Sequence, residues 1–243
     1  MPEKLKLTPL RETVFQVQFE PAIATAGDIL PGLLYAQMKA EYPEVMPLPM
    51  ANVPRNVRQQ NPELHYQASH GLHGASGSIL VGDRVISLTT MEYPGWIPFK
   101  KKLVSLIEVL RATEQAKTIK RFSFKYTNLI EASDEEAQLA FLNMKIECGG
   151  ALPSERGFLM RTELYQGKCT TIVQIAPRSV VKVPPVNSEI SGLLVDVDTI
   201  RFEPGPEFLS KPDFLLEEAH LVAKEAFFSL LAPSTVERLK PVW

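Results

Sequence analysis

Between Val85 and Leu110 the chain reads VISLTTMEYPGWIPFKKKLVSLIEVL, a strand, an aromatic turn and a helix in unbroken succession. Val85, Ile86 and Leu88 make a β-branched-rich strand that runs into Thr89 and Thr90, and Tyr93, Pro94 and Gly95 then turn the chain. Trp96, Phe99, Leu103, Leu106, Ile107 and Leu110 recur at helical spacing, which lays one apolar stripe along a helix. Pro98 falls in the first turn, where its missing N–H costs nothing. Lys100, Lys101 and Lys102 point mostly away from the stripe. They read either as solvated surface or as an anion-binding patch, because the helix dipole does not favour cations in the N-terminal half of a helix.

The neighbouring segments follow the same two periods. In Thr13 to Phe19, Phe15, Val17 and Phe19 face one side and Val14, Gln16 and Gln18 the other, as in a half-buried strand. Asp28 is placed to cap a helix with the stripe Leu30, Leu33, Leu34 and Met38, which Tyr42-Pro43 ends. From Pro43 to Pro62 five prolines interrupt a segment without period, read as a long loop in which Arg55 and Arg58 can reach an anionic partner. A three-strand meander is expected from Leu64 to Ala68, Ser78 to Leu80 and Val85 to Thr90, with glycine-rich His70 to Gly77 as a turn region. A further strand spans Ile119 to Ile130, with Phe122, Phe124 and Tyr126 on one face.

Acidic EASDEE, Glu131 to Glu136, reads as a linker or the start of a helical turn. Beyond it, Leu142 to Cys148, Gly157 to Tyr165, Cys169 to Ala176 and Leu193 to Phe202 read as four strands, the middle two joined at Gln166-Gly167-Lys168. Pro177 to Gly192 reads as an irregular excursion. Pro212 opens a helix with the stripe Leu216, Ala219, Ala223, Ala226, Phe227 and Leu230, which Pro233 closes; Ser234 and Glu237 have capping-box spacing for one last short helix. The expected fold is α+β, with two related halves, each an antiparallel sheet packed with amphipathic helices. Residues 1–133 form a β-α-β-β-β-α-β half and residues 134–243 a β-β-β-β-α half, either as separate domains or over one shared core.

Charge narrows the functional classes. With 26 Lys and Arg against 28 Asp and Glu, the chain lacks the basic excess of a general nucleic-acid binder. The charged start MPEKLKLTPLRE does not read as a secretory signal, and no apolar run approaches the roughly 20 residues that span a bilayer, so a cytoplasmic protein with no membrane partner is expected. Cys148 and Cys169 lack CxxC spacing and read as buried free thiols.

Three sets of residues carry a resemblance: PLRETVFQVQFEP (Pro9 to Pro21), LLYAQMKAEYP (Leu33 to Pro43), and SLTTMEYPGWIPF (Ser87 to Phe99) with FSFKYTN (Phe122 to Asn128). Together they resemble a sporadically distributed family of uncharacterised bacterial proteins, whose members also end in a strand with an Asp-x-Asp, like Asp196 and Asp198, followed by a long helix. The resemblance implies a compact bacterial protein whose scattered occurrence suits mobile or defence-related genes. It supplies no reaction, no cofactor and no catalytic residue.

Three constellations are candidates for chemistry. His65, His70 and His73 are close enough in sequence to share a divalent metal with a carboxylate from elsewhere, although no HExxH or HxH framing surrounds them. Asp196 and Asp198, two apart on one strand, share a face in the way some magnesium-dependent nucleases and polymerases place their acids; an acidic surface looks the same. RFSFKY (Arg121 to Tyr126) resembles the aromatic strand of RNA-recognition sheets, and is equally a core strand. No Walker loop, GxSxG elbow or GxGxxG follows a strand. The leading expectation is a non-enzymatic binding protein without cofactor, which engages a protein or small ligand through Arg55, Arg58, Trp96 and Lys100 to Lys102. The alternatives are a metal-dependent enzyme acting on nucleic acid or nucleotide and an RNA-binding sheet protein. Pairing of exposed sheet edges into a homodimer is a further expectation.

Overall fold

The computed structural model describes residues 1–133, 136–147, 149–151, 154–183 and 188–243. In chain order these form β1 (Lys4–Leu5), β2 (Leu10–Pro21), α1 (Ala26–Met38), β3 (Glu44–Pro47), α2 (Arg55–Gln60), β4 (Ala68–Gly74), β5 (Gly77–Gly82), β6 (Val85–Thr90), α3 (Trp96–Ala112), β7 (Ala116–Glu131), β8 (Met160–Gln166), β9 (Cys169–Val183), β10 (Ser188–Phe202), α4 (Asp213–Leu230), α5 (Pro233–Arg238) and β11 (Pro241–Val242). The fold is α+β on antiparallel sheet, and no helix among the described residues is long and apolar enough to cross a membrane.

Two compact units divide the chain, one from residues 12–124 and 200–219, the other from residues 1–11, 125–199 and 220–243. This partition differs from the contiguous halves 1–133 and 134–243, because residues 200–219 group with the earlier stretch and residues 1–11 with the later one.

In the unit of residues 12–124 and 200–219 the strand order is β3-β4-β5-β6-β2-β7. The alternation in β2 does what its period demands: Phe15 lies opposite Leu88 and Val17 opposite Ile86, all buried. Helix α1 lies on β4 and β5, beside α3. Leu30 and Leu34 of α1 and Phe99, Leu103, Leu106, Ile107 and Leu110 of α3 are buried, so the stripe read in α3 is the core face. Phe122 stacks on Phe208 with ring centroids 4.6 Å apart, and Phe124 lies 5.2 Å from Phe15.

In the other unit the strand order is β7-β10-β9-β8, and β1 pairs with β11. Ile130, Val173, Ile175, Leu193, Val195 and Val197 form a core with Ala226, Phe227, Leu231 and Leu239. Gln166 and Cys169 close the β8–β9 hairpin around the expected turn, where Gly167 takes a positive φ of 59°.

Several expectations need correction. The proline-rich segment is not one loop: it contains β3, a 3-10 turn at Pro49–Asn52, α2 and a second 3-10 turn at Pro62–Leu64, each too short to leave a periodic signature. The first meander strand is Ala68–Gly74, so most of the expected turn region is strand. Glycines serve close approach there: a Cβ on Gly74 would lie 2.1 Å from the Glu41 carbonyl oxygen. Leu142 makes only an isolated bridge to Leu231, and residues 143–147 form no strand; Cys148 lies outside the described residues. Most of the excursion expected from Pro177 to Gly192 is strand, with Pro184 to Asn187 outside the described residues. Within it Arg178 adopts a positive φ of 57°, and its backbone N–H donates to the buried Gln138 Oε1 at 2.7 Å.

Two helix starts also differ. Thr25, not Asp28, holds the cap position of α1, and Asp28 sits in the first turn. Pro233 opens α5 instead of only closing α4, which places Ser234 inside that helix.

Candidate functional site

Helix α1 runs out at Met38, and the following Glu41 and Tyr42 meet α3 across β5 and β6. Between them is a cavity of about 320 Å³. Met38, Tyr42, Ile79, Leu88, Pro98 and Leu106 supply its apolar lining, and Glu41, Lys101, Lys102 and Ser105 its polar groups. A smaller cavity of about 180 Å³ shares Leu88 and Lys102 and continues to Ser76, Thr90, Glu92, Pro94 and Phe99. The volume of the first lies at the low end of small-molecule sites, roughly 300–1,000 Å³.

A polar cluster stands where the two cavities meet. Lys102 Nζ donates to Glu41 Oε1 and, at 2.8 Å, to Ser76 Oγ, which donates in turn to Glu41 Oε1 at 3.0 Å. Burial works to raise the Glu41 carboxyl, but the hydrogen bonds from Lys102 and Ser76 outweigh it and hold the group below its ordinary range. Tyr42 is pushed up to about 12, first by burial and then by the negative charge of Glu41.

That shift fixes a pH response. An unfolded tyrosine loses its proton near pH 10 and Tyr42 near 12 in the folded chain, so stability is retained below pH 10 and declines as pH rises from 10 to 12. The loss expected from this group by pH 12 is about 2–3 kcal/mol. Urea unfolding of the wild type and Tyr42→Phe between pH 9 and 12 checks it: the variant should lack this part of the decline, and parallel curves for the two proteins would refute the assignment.

The expected binding residues lie around this unit with varied roles. Lys100 pairs with Glu217 at 2.8 Å, and Trp96 Nε1 donates to the same carboxylate at 2.8 Å. Lys102 is engaged by Glu41, whereas Lys101 is exposed at the cavity rim and has no acidic partner among the described residues. The three lysines therefore do not act as one free patch. Trp96 is half-buried, edge-on to Phe124 with centroids 5.7 Å apart.

Arg55 and Arg58 belong to α2 and meet carboxylates of the chain itself. Arg55 pairs with Asp28. Arg58 is buried and grips Asp83 with two hydrogen bonds, Nε to Oδ2 at 2.9 Å and Nη2 to Oδ1 at 3.0 Å, while Nη1 donates to the Val53 carbonyl at 2.7 Å. The Asp83 hydrogen bonds, opposed by burial, hold the guanidinium above its ordinary value and so charged. This is a clamp between α2 and the β5–β6 turn.

The metal candidates do not assemble. His65 follows the second 3-10 turn and contacts the Gln59 carbonyl through Nε2 at 2.9 Å. His70 and His73 lie on β4, the reverse of the expected placement, with Nδ1 atoms on Ser69 Oγ at 3.0 Å and Ser78 Oγ at 2.8 Å. Asp196 is buried on β10, where it accepts from Thr127 Oγ1 at 3.0 Å and pairs with Lys125 at 3.0 Å; Asp198, on the same strand, is half-buried. Among the described residues no three His, Cys, Asp or Glu side chains are grouped to hold a metal ion. Cys169 is buried at the start of β9. Phe122 and Phe124 are both fully buried, so they present no ring to a nucleic-acid base in this structure.

The residues that sequence reasoning missed are Glu41, Tyr42, Ser76 and Asp83. Glu41 and Lys102 are 61 positions apart, and no local period links them. The available hint was the composition of AEYP, a tyrosine and an acid at a helix exit where solvated polar residues are usual. Compared with protein-family models, with curated proteins and with solved structures, the chain finds no match in any of the three.

Proposed function

We propose that the chain is a non-enzymatic binding protein that takes a small amphipathic ligand, apolar in body and anionic at one end, into the cavity between the end of α1 and α3. The observation that carries this reading is an apolar-lined cavity with the exposed Lys101 at its rim, which has no acidic partner among the described residues. Such sites hold a ligand by burying its apolar surface and orient it with a few convergent polar groups. Lys102, already neutralised by Glu41, contributes shape and a hydrogen-bond donor more than net charge. The resemblance of the chain's motifs to sporadically occurring bacterial proteins adds a setting, an accessory and defence-related system in which the protein senses or carries its ligand.

The test uses 8-anilinonaphthalene-1-sulfonate, which combines an aromatic body with a sulfonate. Titration of the folded protein should give saturable one-to-one fluorescence enhancement in the micromolar range. Ser105 is exposed and lines the cavity, so Ser105→Trp fills the space without entering the core and should weaken the probe at least tenfold. Lys101→Glu should weaken it by a smaller factor. The reading fails if the folded wild type gives no saturable signal, or if Ser105→Trp, folded by circular dichroism, binds as well as the wild type.

A further inference from the structure

Strand β8, Met160–Gln166, lies at one end of its sheet, with β9 on one side. Its residues pair with β9 from Met160 opposite Ile175 to Gln166 opposite Cys169. Because Gln166 and Cys169 close a two-residue turn, the backbone groups of Met160, Thr162, Leu164 and Gln166 point into the hairpin. Those of Arg161, Glu163 and Tyr165 point outward, away from β9. An outward row of this kind is a template for another strand unless it is guarded by brevity, proline, charged side chains (lysine above all) or a bulge. The charges on β8, Arg161 and Glu163, are of opposite sign and so repel only where like meets like. β3, the edge of its own unit, is guarded: it has four residues and ends in Pro47, with Pro43 just before it. β8 has seven residues, MRTELYQ, without proline or lysine, and is paired along its whole length without a break in register.

We infer that β8 pairs antiparallel with β8 of a second copy of this chain, about a two-fold axis through Thr162. The sequence of the strand selects the occupant. In this register Arg161 lies opposite Glu163 of the second copy, and the symmetry repeats the pair. Met160 faces Leu164 and Leu159 faces Tyr165 in the same way, so each charge meets its opposite and each apolar side chain an apolar partner. Leu159 and Tyr165 are 69% and 78% exposed in the single chain, which leaves them surface to bury. Arg161, Glu163 and Tyr165 already share one face, with Arg161 Nη1 3.2 Å from Glu163 Oε1 and the Tyr165 hydroxyl 3.0 Å from Oε2. Moving the axis to Glu163 would set two carboxylates against each other, and moving it between residues would oppose outward with inward backbone groups. One strand edge is less than a permanent dimer buries, so the association is reversible. This inference is independent of the ligand cavity.

Sedimentation velocity over a concentration series tests it. The wild-type mass should rise from 27.2 kDa toward twice that value. Arg161→Glu and Glu163→Arg each place like charges opposite one another in a homodimer and should raise the dissociation constant roughly tenfold or more. Mixing the two variants restores both opposite pairs in a heterodimer and should recover the wild-type constant. Circular dichroism establishes that each variant is folded. A wild type that stays at the monomer mass up to several hundred micromolar overturns the inference. So do folded single variants that dimerise like the wild type, or a mixture that does not recover.

Discussion

Replacing Asp83 by alanine is expected to lower the unfolding free energy by about 3–5 kcal/mol, the cost of leaving a buried charge without its partner. The Arg58 and Asp83 side chains are only 8% and 15% exposed, so water cannot substitute for the missing carboxylate. Asp28 stands 3.5 Å from the same guanidinium and keeps a longer, weaker ion pair with it, which sets the loss toward the lower end of this range. The surroundings are closed as well: a Cβ on Gly27 would lie 2.0 Å from Asp83 Oδ1, so α1 approaches this carboxylate as only a glycine allows. The effect should persist at high salt, because a buried pair is weakly screened. The double variant Arg58→Met, Asp83→Ala removes both charges and should lose less than the single variant. Urea unfolding measures all three proteins. A loss below about 1 kcal/mol for Asp83→Ala would mean that the clamp contributes no more than a surface ion pair.

This clamp also shows where sequence reading stops. β2 and α3 were legible because each writes its burial into a local period: Phe15, Val17 and Phe19 at every second residue, and Phe99, Leu103, Leu106 and Leu110 at helical spacing. Arg58 carries no such signal. Its partner lies 25 positions away in a turn whose Gly82-Asp83 was readable as a turn and not as an ion-pair site. The glycines of β4 misled for a related reason, since a glycine admitted by the close Glu41 carbonyl looks the same in sequence as one that bends the chain. For the lysines of α3, only the fold decides that Lys100 meets Glu217, that Lys102 meets Glu41 and that Lys101 meets neither. The histidine cluster was close in sequence and stays unassembled, because each ring is taken up by a neighbouring hydroxyl or carbonyl.

Phe124→Ala is expected to cost about 3–5 kcal/mol, the range for removing a large buried aromatic side chain from a packed core. Phe124 is fully buried among Phe15, Phe122 and Trp96, with centroid distances of 5.2, 6.2 and 5.7 Å. The Phe122 and Trp96 rings meet it edge-on, at interplanar angles of 84° and 76°. Edge-to-face pairs add about 0.5–1.5 kcal/mol each beyond the area they bury, which puts this position toward the upper end of the range. Chemical denaturation with an unchanged slope and a lower midpoint would place the whole effect on folded-state stability. The same variant decides what the aromatic strand RFSFKY is for. An RNA platform needs exposed rings, so its alanine variants lose affinity for single-stranded RNA with little loss of stability. A core strand loses stability and leaves any weak, charge-driven RNA association unchanged at a temperature where the variant is folded. A Phe124→Ala protein with the wild-type midpoint and diminished binding to a poly(U) oligomer would overturn the placement of this strand in the core.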